Sequence, residues 1–252
     1  MTRNIQYTLR EQDMLCFLHL PKTGGTTLVA ILCSVVGSAS FQNLEHTEVL
    51  HRWTIARYYR VFDAQIVHTH AHYRRAIGVL PRKPVLLTML RHPLKRVVSE
   101  HGQYLKTRQD ASQFVSLDDF ILNPECTDYR PHNKQTAVLA GLSPRALSDL
   151  PPHDALALAK AHLDECAFVG ITEHFDESLR LLCYTFGWSP IEHCDSRNVT
   201  PSALKYAVTP ELESAILERN QLDIALYAYA QQLFADRLQR MKAERERLPS
   251  TL

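Results

Sequence analysis

Lys22, Thr23, Gly24, Gly25, Thr26 and Thr27 stand side by side in the stretch Leu15-Cys16-Phe17-Leu18-His19-Leu20-Pro21-Lys22-Thr23-Gly24-Gly25-Thr26-Thr27-Leu28. Together these residue types suit the capture of an anion. Two adjacent glycines let the backbone curl without a Cβ clash, so successive N–H groups can converge on one point. An apolar run, Leu28 to Leu32, follows and predicts a helix whose unpaired N–H groups and positive dipole end lie at the same place. Lys22 adds a mobile charge, and the three threonines add hydroxyl donors. A Gly-Gly pair alone before a helix is an ordinary connection; with the lysine and threonines, phosphate binding is the better reading. The order of residues excludes two common phosphate loops. In the nucleoside triphosphatase pattern G-x-x-x-x-G-K-[ST] the lysine follows the last glycine, whereas Lys22 precedes both. The dinucleotide pattern G-x-G-x-x-G fails because Gly24 and Gly25 are adjacent and no third glycine follows at the required spacing.

Two further clusters carry chemistry. His68, His70 and His72 alternate in His68-Thr69-His70-Ala71-His72-Tyr73, and histidine is the side chain best suited to general-base work near neutral pH. All three share strand parity if the strand extends that far, so spacing does not separate them. The second cluster is Arg91-His92-Pro93-Leu94-Lys95-Arg96-Val97-Val98-Ser99, where an arginine fork and a hydroxyl could hold a second phosphate. Taken alone, Arg91 is as readily a surface ion-pair partner. His19 reads as a packed or hydrogen-bonded residue.

The elements that must position these groups alternate between strand and helix. Strands are expected from Leu15 to the break at Pro21, and at Ala64 to His68, Pro84 to Leu90 and Ala167 to Ile171. Helices are expected from Thr26 to Val36 (closed by Gly37), from Thr47 to about Arg60, and from Leu94 onward. Further helices are expected at Leu117 to Leu122, Asn133 to Ala140, His153 to Glu165, and from a Thr172 cap to Phe186. The last runs from Pro210 to about Arg247, with a change of direction near Asn220. Ser38 to Asn43 reads as loop, and Pro144, Pro151 and Pro152 interrupt regular structure. This alternation predicts an α/β fold: a single domain with a central parallel sheet flanked by helices, spanning residues 1–252. Residues 1–13 form a leader, with an extra edge element as one option, and 240–252 a solvated helical tail. In such sheets ligands sit beyond the carboxyl ends of the strands, and all three clusters fall there.

Composition narrows the function classes. The 252 residues are 45% hydrophobic and 22% charged, as for a soluble globular protein with a sizeable core. A net charge of +1 gives no support for wholesale nucleic-acid or anionic-membrane binding, so any basic site is local. The six cysteines are scattered without a C-x-x-C pair, which argues against a zinc ribbon or a redox motif. Neither an apolar signal segment nor a membrane-spanning stretch is visible, and the expected location is cytoplasmic.

Pro21-Lys22-Thr23-Gly24-Gly25-Thr26-Thr27 resembles the 5′-phosphosulfate loop of the sulfotransferases that use 3′-phosphoadenosine 5′-phosphosulfate (PAPS). The Arg91 to Ser99 segment resembles their 3′-phosphate motif, Arg-Asp-Pro followed by Arg and Ser. The group concerned contains the heparan sulfate 2-O- and 6-O-sulfotransferases and bacterial relatives. Ala71-His72-Tyr73 is similar to its Gly-His-Phe segment, Asn133-Lys134-Gln135-Thr136 to its Asn-x-Gln helix, and Phe168-Val169-Gly170-Ile171-Thr172-Glu173 to its Val-Gly-Ile-x-Glu strand and helix. His92 stands where that group has aspartate, and Ala71 where it has glycine.

The resemblance implies a P-loop-like sulfotransferase fold and in-line transfer of a sulfuryl group from PAPS to an acceptor hydroxyl, with 3′,5′-bisphosphate (PAP) as product and no metal. A carbohydrate acceptor is favoured, with lipids and small molecules as further options. Lys22 is placed to stabilise the leaving oxygen, and Thr23, Gly24, Gly25, Thr26 and Thr27 to hold the 5′-phosphate. Arg91 and Ser99 would read the 3′-phosphate. His72 is the first choice of base by family position and His70 the second, and the Arg197 to Thr200 loop could close over the nucleotide. Two other readings compete: a nucleotide kinase-like phosphotransferase and a catalytically inactive nucleotide-binding protein.

Overall fold

The computed structural model describes residues 6–44, 61, 63–107, 115–123, 132–191 and 208–247. The expected helix at Thr47 to Arg60 and the Arg197 to Thr200 loop lie outside the described residues.

Five short strands form one sheet: β1 (Leu15–Leu18), β2 (Phe41–Leu44), β3 (Ile66–Thr69), β4 (Val85–Leu90) and β5 (Phe168–Ile171). Their order is β2-β3-β1-β4-β5, and every pair is parallel. β1 lies at the centre and is apolar and buried along its whole length, and β3, β4 and β5 are buried throughout as well. Such runs suit strands covered on both faces. Leu18 sits opposite Thr69 on one side and Thr88 on the other, so β1 and β3 finish level while β4 runs on to Leu90. The Thr88 hydroxyl donates to the Leu18 carbonyl (2.8 Å), tying the centre of the sheet together with a side chain.

The helices follow the alternation: α1 (Gly25–Val36), α2 (Tyr73–Val79), α3 (Pro93–Lys106), α4 (Leu117–Leu122), α5 (Lys134–Ala140), α6 (Pro144–Asp149), α7 (Pro152–Glu165), α8 (Phe175–Phe186), α9 (Pro210–Arg219) and α10 (Gln221–Arg247). The break between α9 and α10 falls at Asn220, as expected. No helix among the described residues is long and apolar enough to cross a membrane.

Several expectations are corrected. Ser38 to Asn43 is not loop: a 3-10 turn (Ser38–Ser40) leads into β2, a polar edge strand that pairs with β3. Its only buried residue is Leu44, so it offers no apolar run to detect. Pro144 does not break structure but starts α6 at a helical position that tolerates proline, with the Ser143 hydroxyl accepting the Ala146 N–H (3.2 Å). The described part of the leader, residues 6–13, adds no strand. Tyr7 donates its N–H to Thr185 O (2.7 Å) and sets its ring edge-on to Phe186. Nor is the tail merely solvated. Met241 is buried, the Tyr184 hydroxyl donates to the Glu244 carboxylate, and Arg245 lies over the Tyr184 ring.

A buried polar network joins α3, α5 and α10. Asn133, in a left-handed conformation (φ 49°), accepts the Leu222 and Asp223 N–H groups on its Oδ1 (3.0 and 3.1 Å). Asp223 returns the bond, accepting the N–H groups of Gln135 and Thr136 (3.2 and 2.8 Å). Each helix start thus caps the other, which satisfies donors that a helix cannot pair internally. Arg96 is fully buried between Glu100 and Asp223, and Lys134 reaches Glu100 from the opposite side. Burial works against the Glu100 carboxylate, but Arg96 and Lys134 outweigh it and hold its pKa below the usual range.

Candidate active site

Two residues of the loop between β1 and α1, Lys22 (φ 68°) and Gly24 (φ 79°), have a left-handed backbone. That costs Gly24 nothing and strains Lys22, a conformation tolerated where surrounding contacts enforce it. Arg91, just past β4, supplies one such contact: its NH1 donates to the Lys22 carbonyl (3.0 Å). Thr172, just past β5, supplies another beside it, its hydroxyl placed to donate to Thr23 O (2.8 Å) and Leu90 O (2.9 Å). Thr172 was expected to cap a helix; instead a 3-10 turn (Thr172–His174) precedes α8, and the hydroxyl bridges the loop to β4.

Gly24 is the N-cap of α1 and no side chain caps that helix, so its first N–H groups face the loop. Gly25 is needed for packing: a Cβ there would lie 1.9 Å from His19 Nε2. Of the threonines, Thr26 is exposed on the first turn while Thr23 and Thr27 are buried. The Thr23 hydroxyl donates to Leu20 O (2.8 Å), which leaves its backbone N–H as its possible contribution to an anion. Lys22 is half-buried, and its Nζ donates to Gln103 Oε1 (3.4 Å) from α3. Its pKa is lowered, first by burial and then by the positive charges of Lys106 and Arg91. Three cations from β1, β4 and α3 therefore converge here, an arrangement a polyanion relieves.

Arg91 is held at its backbone. Gln135 of α5 accepts the Arg91 N–H on Oε1 (3.0 Å) and donates from Nε2 to Arg91 O (2.9 Å), as a neighbouring strand would. The next N–H, of His92, goes to the Glu173 carboxylate (3.2 and 3.3 Å), which also accepts from the Tyr227 hydroxyl (2.9 Å). The His92 ring stands edge-on to Tyr227. The Arg91 Nε is buried without a partner among the described residues, a donor that an anion would satisfy. Ser99 is half-buried two turns into α3, whereas Arg96 of the same segment is structural.

The histidines do not share one strand. β3 ends at Thr69, and His72 is the N-cap of α2, its carbonyl accepting from Arg75 and Ala76. His19, His68 and His70 form a cluster instead, with ring centroids 4.2 to 5.0 Å apart. His68 Nδ1 donates to Asn43 Oδ1 (2.8 Å), so its Nε2 accepts from His19 Nδ1 (2.8 Å). Burial, aided by the neighbouring rings, drives the pKa of His19 down to about 2 and that of His68 to about 3, keeping both neutral. His70 Nδ1 lies 3.1 Å from the His19 carbonyl, which can only accept. The proton therefore sits on Nδ1 and the lone pair on Nε2.

The structure thus brings Lys22, the Gly24-Gly25 turn, the α1 start, His70 and Arg91 to one edge of the sheet. Sequence reasoning assigned Gln135 and Glu173 no role and Thr172 only that of a helix cap, although all three stand in segments it had singled out.

A family model described as the sulfotransferase family matches residues 6–230. Heparan-sulfate 6-O-sulfotransferase 3-B of Danio rerio is 26% identical over 299 residues, covering 98% of this chain and 70% of the relative. Heparan-sulfate 6-O-sulfotransferase 2 of Danio rerio is 25% identical, covering 98% and 63%. Heparan-sulfate 6-O-sulfotransferase 3 of Homo sapiens is 25% identical, covering 96% and 62%. The chain spans about two thirds of the length of these relatives. With an all-parallel sheet, a glycine-lysine-threonine loop at its centre and a family match across nearly the whole chain, this protein belongs to the sulfotransferase family.

Proposed function

We propose that the protein transfers a sulfuryl group from PAPS to a carbohydrate hydroxyl. The observation that supports this reading is the Arg91–Lys22 contact, which sets a second cation beside the loop we read as the 5′-phosphate loop. A donor with phosphates at both ends of its ribose suits that pair. The names of the relatives favour a sugar hydroxyl as acceptor.

In the proposed reaction His70 Nε2 takes the acceptor proton as the acceptor oxygen attacks sulfur. The bond from sulfur to the 5′-phosphate oxygen breaks, and PAP leaves with the electron pair. Lys22 neutralises charge on that departing oxygen, while the first N–H groups of α1 hold the phosphate. Arg91, with Ser99 beyond it on α3, is assigned to the 3′-phosphate.

We place His70 ahead of His72 as base because the His19 carbonyl orients its ring and sets its tautomer. Radiolabelled sulfate transfer to a glycosaminoglycan acceptor tests this. His70→Ala is expected to lower turnover at least about 100-fold with PAP affinity kept, as removal of a general base does. Activity surviving in His70→Ala while failing in His72→Ala would move the role to His72.

A further inference from the structure

We propose that His19, His68 and His70 form a binding site for a transition-metal dication such as Zn2+, and that its occupation silences the base. Each of the three rings can offer a nitrogen such that all three ligand atoms lie within 4.8 Å of one another. A tetrahedral zinc with bonds of about 2.0–2.1 Å needs its nitrogens about 3.3 Å apart, so modest ring rotation closes the site. The rings stand at the end of β1, within β3 and just past β3, on paired backbone that fixes their separation.

The outer nitrogens are already engaged as metal-bound imidazoles require. His68 Nδ1 donates to Asn43 Oδ1 and His70 Nδ1 to His19 O, which orients both rings with Nε2 as the lone-pair nitrogen. His19 needs one rearrangement. The proton on its Nδ1, now given to His68, is replaced by one on Nε2, so the ring stays neutral as it turns a lone pair to the metal. Three protein nitrogens leave a fourth position open, and imidazole donors select zinc, copper, nickel or cobalt over magnesium or calcium.

Titration of the full chain with Co2+, followed by visible absorption, tests the site. One Co2+ per chain with intense four-coordinate bands is expected, displaced by one equivalent of Zn2+. His68→Gln is expected to abolish the bands, and Asn43→Ala, on the exposed edge strand, to weaken binding roughly 10- to 100-fold by loosening His68. If His68→Gln fails to fold, Asn43→Ala carries the test. Absence of the bands, or equal affinity in the variants that fold, would overturn the site. The second arm rests on the sulfuryl-transfer reading: Zn2+ is expected to stop transfer in step with Co2+ displacement. Unchanged transfer at saturating Zn2+ overturns the silencing. Cobalt bands in a protein that transfers no sulfate would leave the metal site standing and remove the proposed function instead.

Discussion

At the residue scale Lys22 is the pivot of the site proposed above. Its left-handed backbone is a strain of roughly 1–3 kcal/mol that contacts from Arg91 to its carbonyl and from Thr172 to the next carbonyl offset. Its ammonium, half-buried and crowded by Lys106 and Arg91, is placed for a group that becomes more negative during reaction. Lys22→Ala is therefore expected to cut single-turnover transfer about 100- to 1,000-fold while PAP affinity falls less than about tenfold. Unchanged turnover would remove the assigned role. The loop was legible in the sequence because its chemistry is local: glycines, lysine and threonines act within seven residues. The bond from Thr23 to Leu20 and the tautomer of His70 were not, since each depends on where a carbonyl falls in space. The shared parity of His68, His70 and His72 failed for a local reason: β3 stops at Thr69 and His72 starts a helix.

At the element scale the site is held by contacts between strand ends and helix starts. Thr172 links three of them, because β5 delivers its hydroxyl beside both the anion loop and the end of β4. Thr172→Val keeps the shape and removes the donor. It is expected to weaken PAP binding roughly 5- to 30-fold, the equivalent of about 1–2 kcal/mol for a lost buried hydrogen bond. Calorimetry showing unchanged affinity would contradict the bridge. Asp223 does similar work behind Arg91, capping α5 so that Gln135 can pair with the arginine backbone. Asp223→Ala leaves Arg96 buried with one partner fewer, and urea denaturation is expected to register a loss of about 3–5 kcal/mol. A loss below about 1 kcal/mol would make the network dispensable. The helices with strong apolar patterns and the break at Asn220 could be read from the sequence. The edge strand β2 could not, since Gln42 and Asn43 are polar, Leu44 alone is buried, and its place comes from pairing with β3. Reciprocal capping by Asn133 and Asp223 is equally invisible along the chain, because the partners are 90 residues apart.

At the scale of the whole molecule, a parallel sheet ordered β2-β3-β1-β4-β5 brings distant sequence clusters to one edge. β1 pairs with both β3 and β4, so the Lys22 loop has the histidines on one side and Arg91 on the other. The proposed base and the two proposed phosphate sites are thereby separated by strand spacings and do not depend on one flexible loop. The α/β class and this clustering followed from alternation and from the rule that ligands sit beyond strand carboxyl ends. What alternation does not convey is which edge cation faces which phosphate. The central claim is that one cleft binds a nucleotide through both its 5′ and its 3′ phosphates. Titration calorimetry with PAP, 5′-AMP and ATP with magnesium measures this without an acceptor. PAP is predicted to bind roughly 10- to 100-fold more tightly than 5′-AMP, as a charge-assisted contact to the extra phosphate provides, and more tightly than ATP with magnesium. Equal affinity for PAP and 5′-AMP, or preference for ATP with magnesium, would contradict it.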